Sequence, residues 1–195
     1  MKNYILNNLS GLGLELGAFY TPFPYSGNTK MDYCDVRTRD ELIEVAKGET
    51  SIKEEYYNSI PDTDIFGTGD SLIDIDNDTY DFTCSCHVLE HVINFGKAIE
   101  ESLRVTKKLG KLYCIVPDKR FTFDKDKKET TYQELIDIYE SEPILNYDEV
   151  GYGHKNRFTD ETVFKFLNYL NNTIDFNIQM RVRKGMNIIF LLQKV

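Results

Sequence analysis

No stretch of the chain approaches the ~20 apolar residues that a membrane span needs, so no transmembrane helix is expected. The opening residues, MKNYILNNLSG, contain one lysine but neither an apolar run nor a small-residue cleavage site, so a secretory leader is not expected either. Cysteine is scarce. Cys34, Cys84, Cys86 and Cys114 never fall into CxxC spacing, which excludes the common thiol-redox and zinc-ribbon patterns and leaves buried free thiols in a cytoplasmic protein as the expectation. Basic residues are outnumbered 23 to 32, for a formal charge of -9. That surface would repel a nucleic-acid backbone or an anionic bilayer as the main partner. Repeats, low-complexity tracts and linkers are all missing, so the 195 residues are expected to form one domain over residues 1–195. At this length roughly 70% of the extended-chain surface can be buried, enough for a core without disulfide or metal support.

What is present alternates between strand-like and helix-like patterning. GLGLEL places Leu12, Leu14 and Leu16 at period two before Gly17, and KMDYCDV reads as a second strand ending near Asp35. Between them, AFYTPFPYSGN is too broken by Pro22, Pro24 and Gly27 to form a regular helix. Thr38 and Glu41 form a capping box for a helix over TRDELIEVAK. TDIFGTGDSL gives a short third strand turning at Gly67 and Gly69, and YDFTCSC an interior fourth. Asn94 caps a helix whose apolar stripe runs through Phe95, Ala98, Ile99, Leu103 and Thr106, expected to stop at Gly110 with Lys107 and Lys108 in its last turn. KLYCIVP is a fifth strand. After the polar loop DKRFTFDKDKKETT, two more helices are expected, the second capped by Thr159, and then an antiparallel pair around Lys184 and Gly185. Strand–helix–strand order implies a partly parallel sheet with right-handed crossovers. The expected architecture is α/β: a Rossmann-like three-layer sandwich on a seven-stranded, mostly parallel sheet with an antiparallel C-terminal strand.

In open α/β sheets ligands bind beyond the carboxyl ends of the strands, where strand order reverses. The polar residues expected there are Glu15 and Gly17, Asp35, Asp70, His87, and the trio Asp118, Lys119 and Arg120. Gly17 permits close backbone approach, Asp35 offers a carboxylate for ribose hydroxyls, and Asp70 or Ser71 offers a polar contact for a base. A dinucleotide-dependent oxidoreductase of the same layered fold is disfavoured, since the first turn lacks G-x-G-x-x-G. His87-Val-Leu-Glu90-His91 matches the inverted zinc-protease pattern H-x-x-E-H. That chemistry needs both histidines on one helical face and a third ligand. The sequence fixes no third ligand, His154 being the only other histidine, so no metal is expected.

The arrangement resembles the class I S-adenosylmethionine-dependent methyltransferases, closest to small bacterial members associated with sugar and surface-polysaccharide biosynthesis. The resemblance rests on LELGA (14–18), DYCD (32–35), GDSL (69–72), the long stretch YDFTCSCHVLEHVINFGKAIEESLRVTKKLGKLYCIVPDKRFTFD (80–124) and GHKNRFTDETVFKFL (153–167). It implies S-adenosylmethionine as cofactor. Glu15 and Gly17 would line its methionine side, Asp35 would take the ribose hydroxyls, Asp70, Ser71 and Leu72 would surround adenine, and His87 would face the transferred methyl. The chain departs from the family pattern after Gly17, where Ala18-Phe19-Tyr20 replaces further glycines.

Methyl transfer to a hydroxyl needs a proton acceptor, and Asp118 or His154 is expected to serve. Asp118 has a structural alternative, holding its own loop through Arg120 or Lys119. The expected acceptor is a polar or anionic small molecule such as a sugar, sugar phosphate or nucleotide sugar, with Lys119 and Arg120 available for its charge. A substrate lid is expected from residues 118–160, a loop and helix insertion, or from a second subunit of a homodimer or a partner. The competing functional reading is a domain that kept the fold, lost catalysis and serves an active partner.

Overall fold

The computed structural model describes residues 9–25, 27–143, 146 and 153–195. Seven strands form one sheet in the order β3-β2-β1-β4-β5-β7-β6. They are β1 (Gly11–Leu16), β2 (Thr29–Asp35), β3 (Ile65–Phe66), β4 (Tyr80–Cys86), β5 (Thr106–Pro117), β6 (Phe176–Lys184) and β7 (Asn187–Lys194). Strands β1 to β5 pair in parallel, while β7 runs antiparallel to both β5 and β6. The α-helices are α1 (Arg39–Gly48), α2 (Phe95–Val105), α3 (Tyr132–Ser141) and α4 (Asp160–Leu170). This is the α/β three-layer sandwich that the alternating pattern implied.

Local chemistry fixes the helix starts. Thr38 and Glu41 exchange the two hydrogen bonds of a capping box at α1, and Thr131 with Glu134 repeats the device at α3. Asn94 and Thr159 accept from the first turns of α2 and α4. The apolar stripe of α2 then lies on one sheet face. Phe95 meets Phe158, Phe166 and Phe190 there, with ring centroids 4.5, 5.9 and 6.4 Å away, and Leu135, Val163 and Leu167 complete the layer. Each such side chain contributes about 1.5–3 kcal/mol by leaving water. Cys84 and Cys86 share the opposite face with Phe23, Phe82, Tyr113 and Ile189. Cys34, Cys84 and Cys114 are buried free thiols, and Cys86 is half-buried.

One boundary departs from the sequence pattern. Helix α2 ends at Val105, and the residues from Thr106 onward, lysines 107 and 108 included, belong to β5. Thr106 pairs with Tyr80, and Lys107 Nζ donates to Asp81 2.8 Å away. An ion pair and a strand ladder outside the helix thus outcompete the last helical turn, and Leu109 absorbs the bend with φ 64°.

Between β1 and β2, residues 17–25 and 27–28 contain no helix. The carboxylate of Glu15 instead holds this connection. It accepts from Phe23 N at 3.1 and 3.2 Å and from the Tyr25 hydroxyl. Burial, with Glu15 alongside, pushes the Tyr25 phenol far above its usual pKa, so it stays a donor.

Candidate active site

Chain order turns back at β1, whose neighbours are β2 on one side and β4 on the other. Beyond the carboxyl ends of these strands lies a cleft of about 250 Å³. Leu16, Gly17, Asp35, Arg37 and His87 line it, with Thr68 between Gly67 and Gly69 after β3, and His91 with Val92 beyond β4. This is the switch-point position at which α/β sheets take ligands.

Gly17 has φ 60°, and a Cβ there would sit 2.6 Å from Val88 Cγ2. Its N–H donates to Cys34 O at 2.8 Å, so the turn is both strained for other residues and locked to β2. Asp35 Oδ1 accepts from Val36 N and Arg37 N at 2.7 and 3.2 Å. Burial raises its pKa despite those two hydrogen bonds. A carboxylate held by backbone at a strand end suits a vicinal diol. His87 adopts φ 58°, an uncommon value for a non-glycine residue that costs on the order of 1 kcal/mol or more. Its Nε2 lies 2.9 Å from Asn187 Oδ1 and its N–H donates to Ile115 O.

Among the described residues, the other expected cofactor residues make contacts within the chain. Glu15 anchors the connection described above. Asp70 Oδ2 accepts from Asn94 N at 2.9 Å and so braces the cap of α2. Leu72 is a core residue whose N–H donates to Glu101 Oε2 and whose carbonyl accepts from Arg104. Ser71 closes a turn onto Thr68. The third strand therefore meets the cleft through residues 67–69, immediately before Asp70, Ser71 and Leu72.

Asp118 is fully buried, and both its oxygens are taken by Arg120, which also reaches Asp160. Lys119 Nζ donates to Lys125 O at 2.8 Å. All three residues thus tie their own loop together. Part of the expected 118–160 lid segment lies outside the described residues.

His154 is far from the cleft in sequence but is fastened beside it. Lys155 N and Asn156 N donate to Glu90 O at 2.8 and 2.9 Å, and Asn156 Nδ2 donates to Val92 O at 2.8 Å. These bonds bring the His154 ring within 4.6 Å of His91, centroid to centroid. Asp124 Oδ2 stands 2.5 Å from His154 Nδ1, and Phe123, 74% exposed, leans over the same imidazole at 4.8 Å. Burial raises the Asp124 carboxyl, but Lys127 and His154 outweigh it and hold the pKa below the usual range. The HVLEH segment lies in turns ahead of α2, so the helical geometry of an H-x-x-E-H peptidase is not formed. Glu90, Asp124 and Asn156 were not singled out as site residues in the sequence; only the HVLEH spacing pointed toward Glu90.

Residues 16–114 match a family model described as a methyltransferase domain. The chain belongs to this methyltransferase family. It is a class I S-adenosylmethionine-dependent methyltransferase by fold and domain, with S-adenosylmethionine as its cofactor. A solved S-adenosylmethionine-dependent methyltransferase from Aquifex aeolicus is 14% identical, with a TM-score of 0.59 over 100% of this chain and 89% of its own. Another from Methanosarcina mazei is 17% identical, with a TM-score of 0.57 over 98% of this chain and 97% of its own. At these identities the likeness is one of fold. No curated protein matches the chain significantly. Among the described residues no helix is long and apolar enough to cross a membrane.

Proposed function

We propose that this methyltransferase alkylates a hydroxyl of a small polar acceptor of the sugar class: a sugar, a sugar phosphate or a nucleotide sugar. Bound in the cleft, S-adenosylmethionine would supply an electrophilic methyl group on a sulfonium. Gly17, with its Cβ-free approach, and Asp35, with its backbone-held carboxylate, would hold the adenosyl and methionine parts, and His87 would stand at the methyl end.

The observation that carries the acceptor assignment is the column Phe123–His154–His91. It runs from an exposed ring to the cleft wall in centroid steps of 4.8 and 4.6 Å. A sugar presents one apolar C–H face and a rim of hydroxyls, which suits an exposed aromatic face set beside imidazoles. Asp124 fixes the His154 tautomer: Nδ1–H donates to Oδ2, leaving the Nε2 lone pair on the side of Glu90 and His91. That lone pair is what the site offers to the acceptor's proton. Asp118 has no comparable freedom, because Arg120 occupies both its oxygens.

The test pairs calorimetry with a methylation screen. S-adenosylhomocysteine should bind and NADH should not. Mass spectrometry should find a methylated product among sugars, sugar phosphates and nucleotide sugars. Phe123→Ala should raise the acceptor KM several-fold and leave S-adenosylhomocysteine affinity unchanged. Turnover confined to a non-carbohydrate acceptor would overturn the substrate class. Cofactor binding with no turnover on any acceptor would favour the role of partner to an active subunit.

A further inference from the structure

Glu90, His91 and His154 each present a ligand atom within 4.8 Å of the others. Glu90 Oε1 is 3.9 Å from His91 Nε2, 4.0 Å from His154 Nε2 and 3.5 Å from His87 Nδ1. Glu90 is 1% exposed, and its second oxygen has no hydrogen-bond partner among the described residues. A buried carboxylate oxygen left without a donor is costly, and it is Oε1, the other oxygen, that the imidazole nitrogens approach.

We infer that Glu90, His91 and His154 form a site for one divalent transition-metal ion at the wall of the cofactor cleft. Two nitrogens and one carboxylate oxygen make a donor set that suits zinc or cobalt and leaves a position open for water or an acceptor oxygen. Ligand atoms of a tetrahedral zinc site lie roughly 3.3 Å apart, so closure needs side-chain shifts on the order of 1 Å. The outer shell is already in place. Asp124 engages His154 Nδ1 and directs the Nε2 lone pair inward, the carboxylate–histidine support common behind metal-bound imidazoles. The backbone is equally committed, since the Glu90 carbonyl accepts both N–H groups that follow His154. His91 also lines the cleft, so the ion would have an entry path and could hold a sugar hydroxyl beside the methyl end. In that state the His154 lone pair binds the cation in place of a proton. This last role rests on the acceptor reading above; the metal site itself does not.

The experiment uses the full chain without an affinity tag, stripped with chelator and titrated with Zn²⁺ by calorimetry and with Co²⁺ by visible absorption. One equivalent should bind, with cobalt bands typical of a low-coordinate nitrogen and oxygen site and without thiolate charge-transfer absorption. Glu90→Gln and His154→Gln should abolish stoichiometric binding, and Asp124→Asn should weaken it about 10–100-fold. Zinc should raise the Tm of the wild type and leave that of Glu90→Gln unmoved. Metal-free Glu90→Gln should melt no earlier than the metal-free wild type, a readout that separates ligation from simple misfolding. Absence of stoichiometric binding, thiolate absorption, or binding unchanged in both variants would overturn the inference. S-adenosylhomocysteine titration of the same samples reports separately on the methyltransferase cleft.

Discussion

His154 Nδ1 and Asp124 Oδ2 face each other at 2.5 Å across thirty residues of sequence, and Lys127 lies on the other Asp124 oxygen at 2.7 Å. Burial disfavours the charged carboxylate, yet these two partners outweigh it and hold the Asp124 pKa below the ordinary range. A depressed folded-state pKa contributes stability that is complete above the unfolded-state value and is lost as pH falls through the folded one. Asp124→Asn should therefore cost about 1–3 kcal/mol at neutral pH and should flatten the acid limb of stability against pH. Denaturant unfolding between pH 7 and pH 3 measures both effects. An acid limb identical to that of the wild type would assign it to other carboxylates, such as Glu134, whose pKa Lys128 and Thr131 bring down to about 2.

Gly17 has two separate reasons to be glycine, and a pair of variants distinguishes them. Its φ of 60° penalises any Cβ by about 1–2 kcal/mol, and the 2.6 Å approach to Val88 adds a clash on top. Gly17→Ala should lower S-adenosylhomocysteine affinity at least tenfold and lower Tm. Adding Val88→Ala should remove the clash but not the torsional cost, so recovery should be partial. Full recovery would make packing the whole reason, and no recovery would make backbone conformation the whole reason.

Asp35 should make cofactor binding sensitive to mild acid. Burial raises its pKa above the usual carboxylate value against the pull of the Val36 and Arg37 amides. In the proposed binding mode the charged form would accept from ribose hydroxyls, so affinity should fall as pH drops through this raised value. Asp35→Asn should bind S-adenosylhomocysteine about 10–100-fold more weakly, the loss of one or two charge-assisted hydrogen bonds, and its affinity should no longer vary over that pH range. Titration calorimetry from pH 7.5 to pH 4.5 on both proteins decides it.

The seven-strand fold was legible because its elements carry local signatures: period-two apolar runs for strands, and Thr38, Asn94 and Thr159 at helix starts. The end of α2 was not legible. Nothing local in TKKLG announces that Lys107 will pair with Asp81, 26 residues earlier. The cleft residues Gly17, Asp35 and His87 end or directly follow their strands, so strand-end position was enough to find them. The proposed acceptor side depends on long-range hydrogen bonds, above all those from Lys155 and Asn156 to Glu90, and no periodicity encodes such a pairing. The same limit applies to Asp70 and Glu15. A carboxylate at a strand end looks the same in sequence whether or not, as in these two, it also accepts from a backbone amide of its own chain.

The two candidate proton acceptors should fail in different ways. Asp118 is wholly buried, caps the 3-10 turn Lys119–Phe121 and binds Arg120, which in turn reaches Asp160 at the start of α4. Breaking a buried ion pair from one side typically costs about 3–5 kcal/mol. Here the half-exposed guanidinium can turn toward water, so the lower end of that range is the better guide for Asp118→Asn. That variant should lose stability and, where it remains folded, should keep most of its turnover. Double substitution with Arg120→Gln should recover little of the lost stability, because Arg120 still pairs with Asp160 in Asp118→Asn and its removal takes that partner away. His154→Gln should do the reverse, preserving S-adenosylhomocysteine affinity while lowering kcat by roughly 10²–10⁴-fold. If Asp118→Asn stays fully stable and loses turnover while His154→Gln retains it, the proton acceptor is Asp118, and the Arg120 pair must open during the reaction.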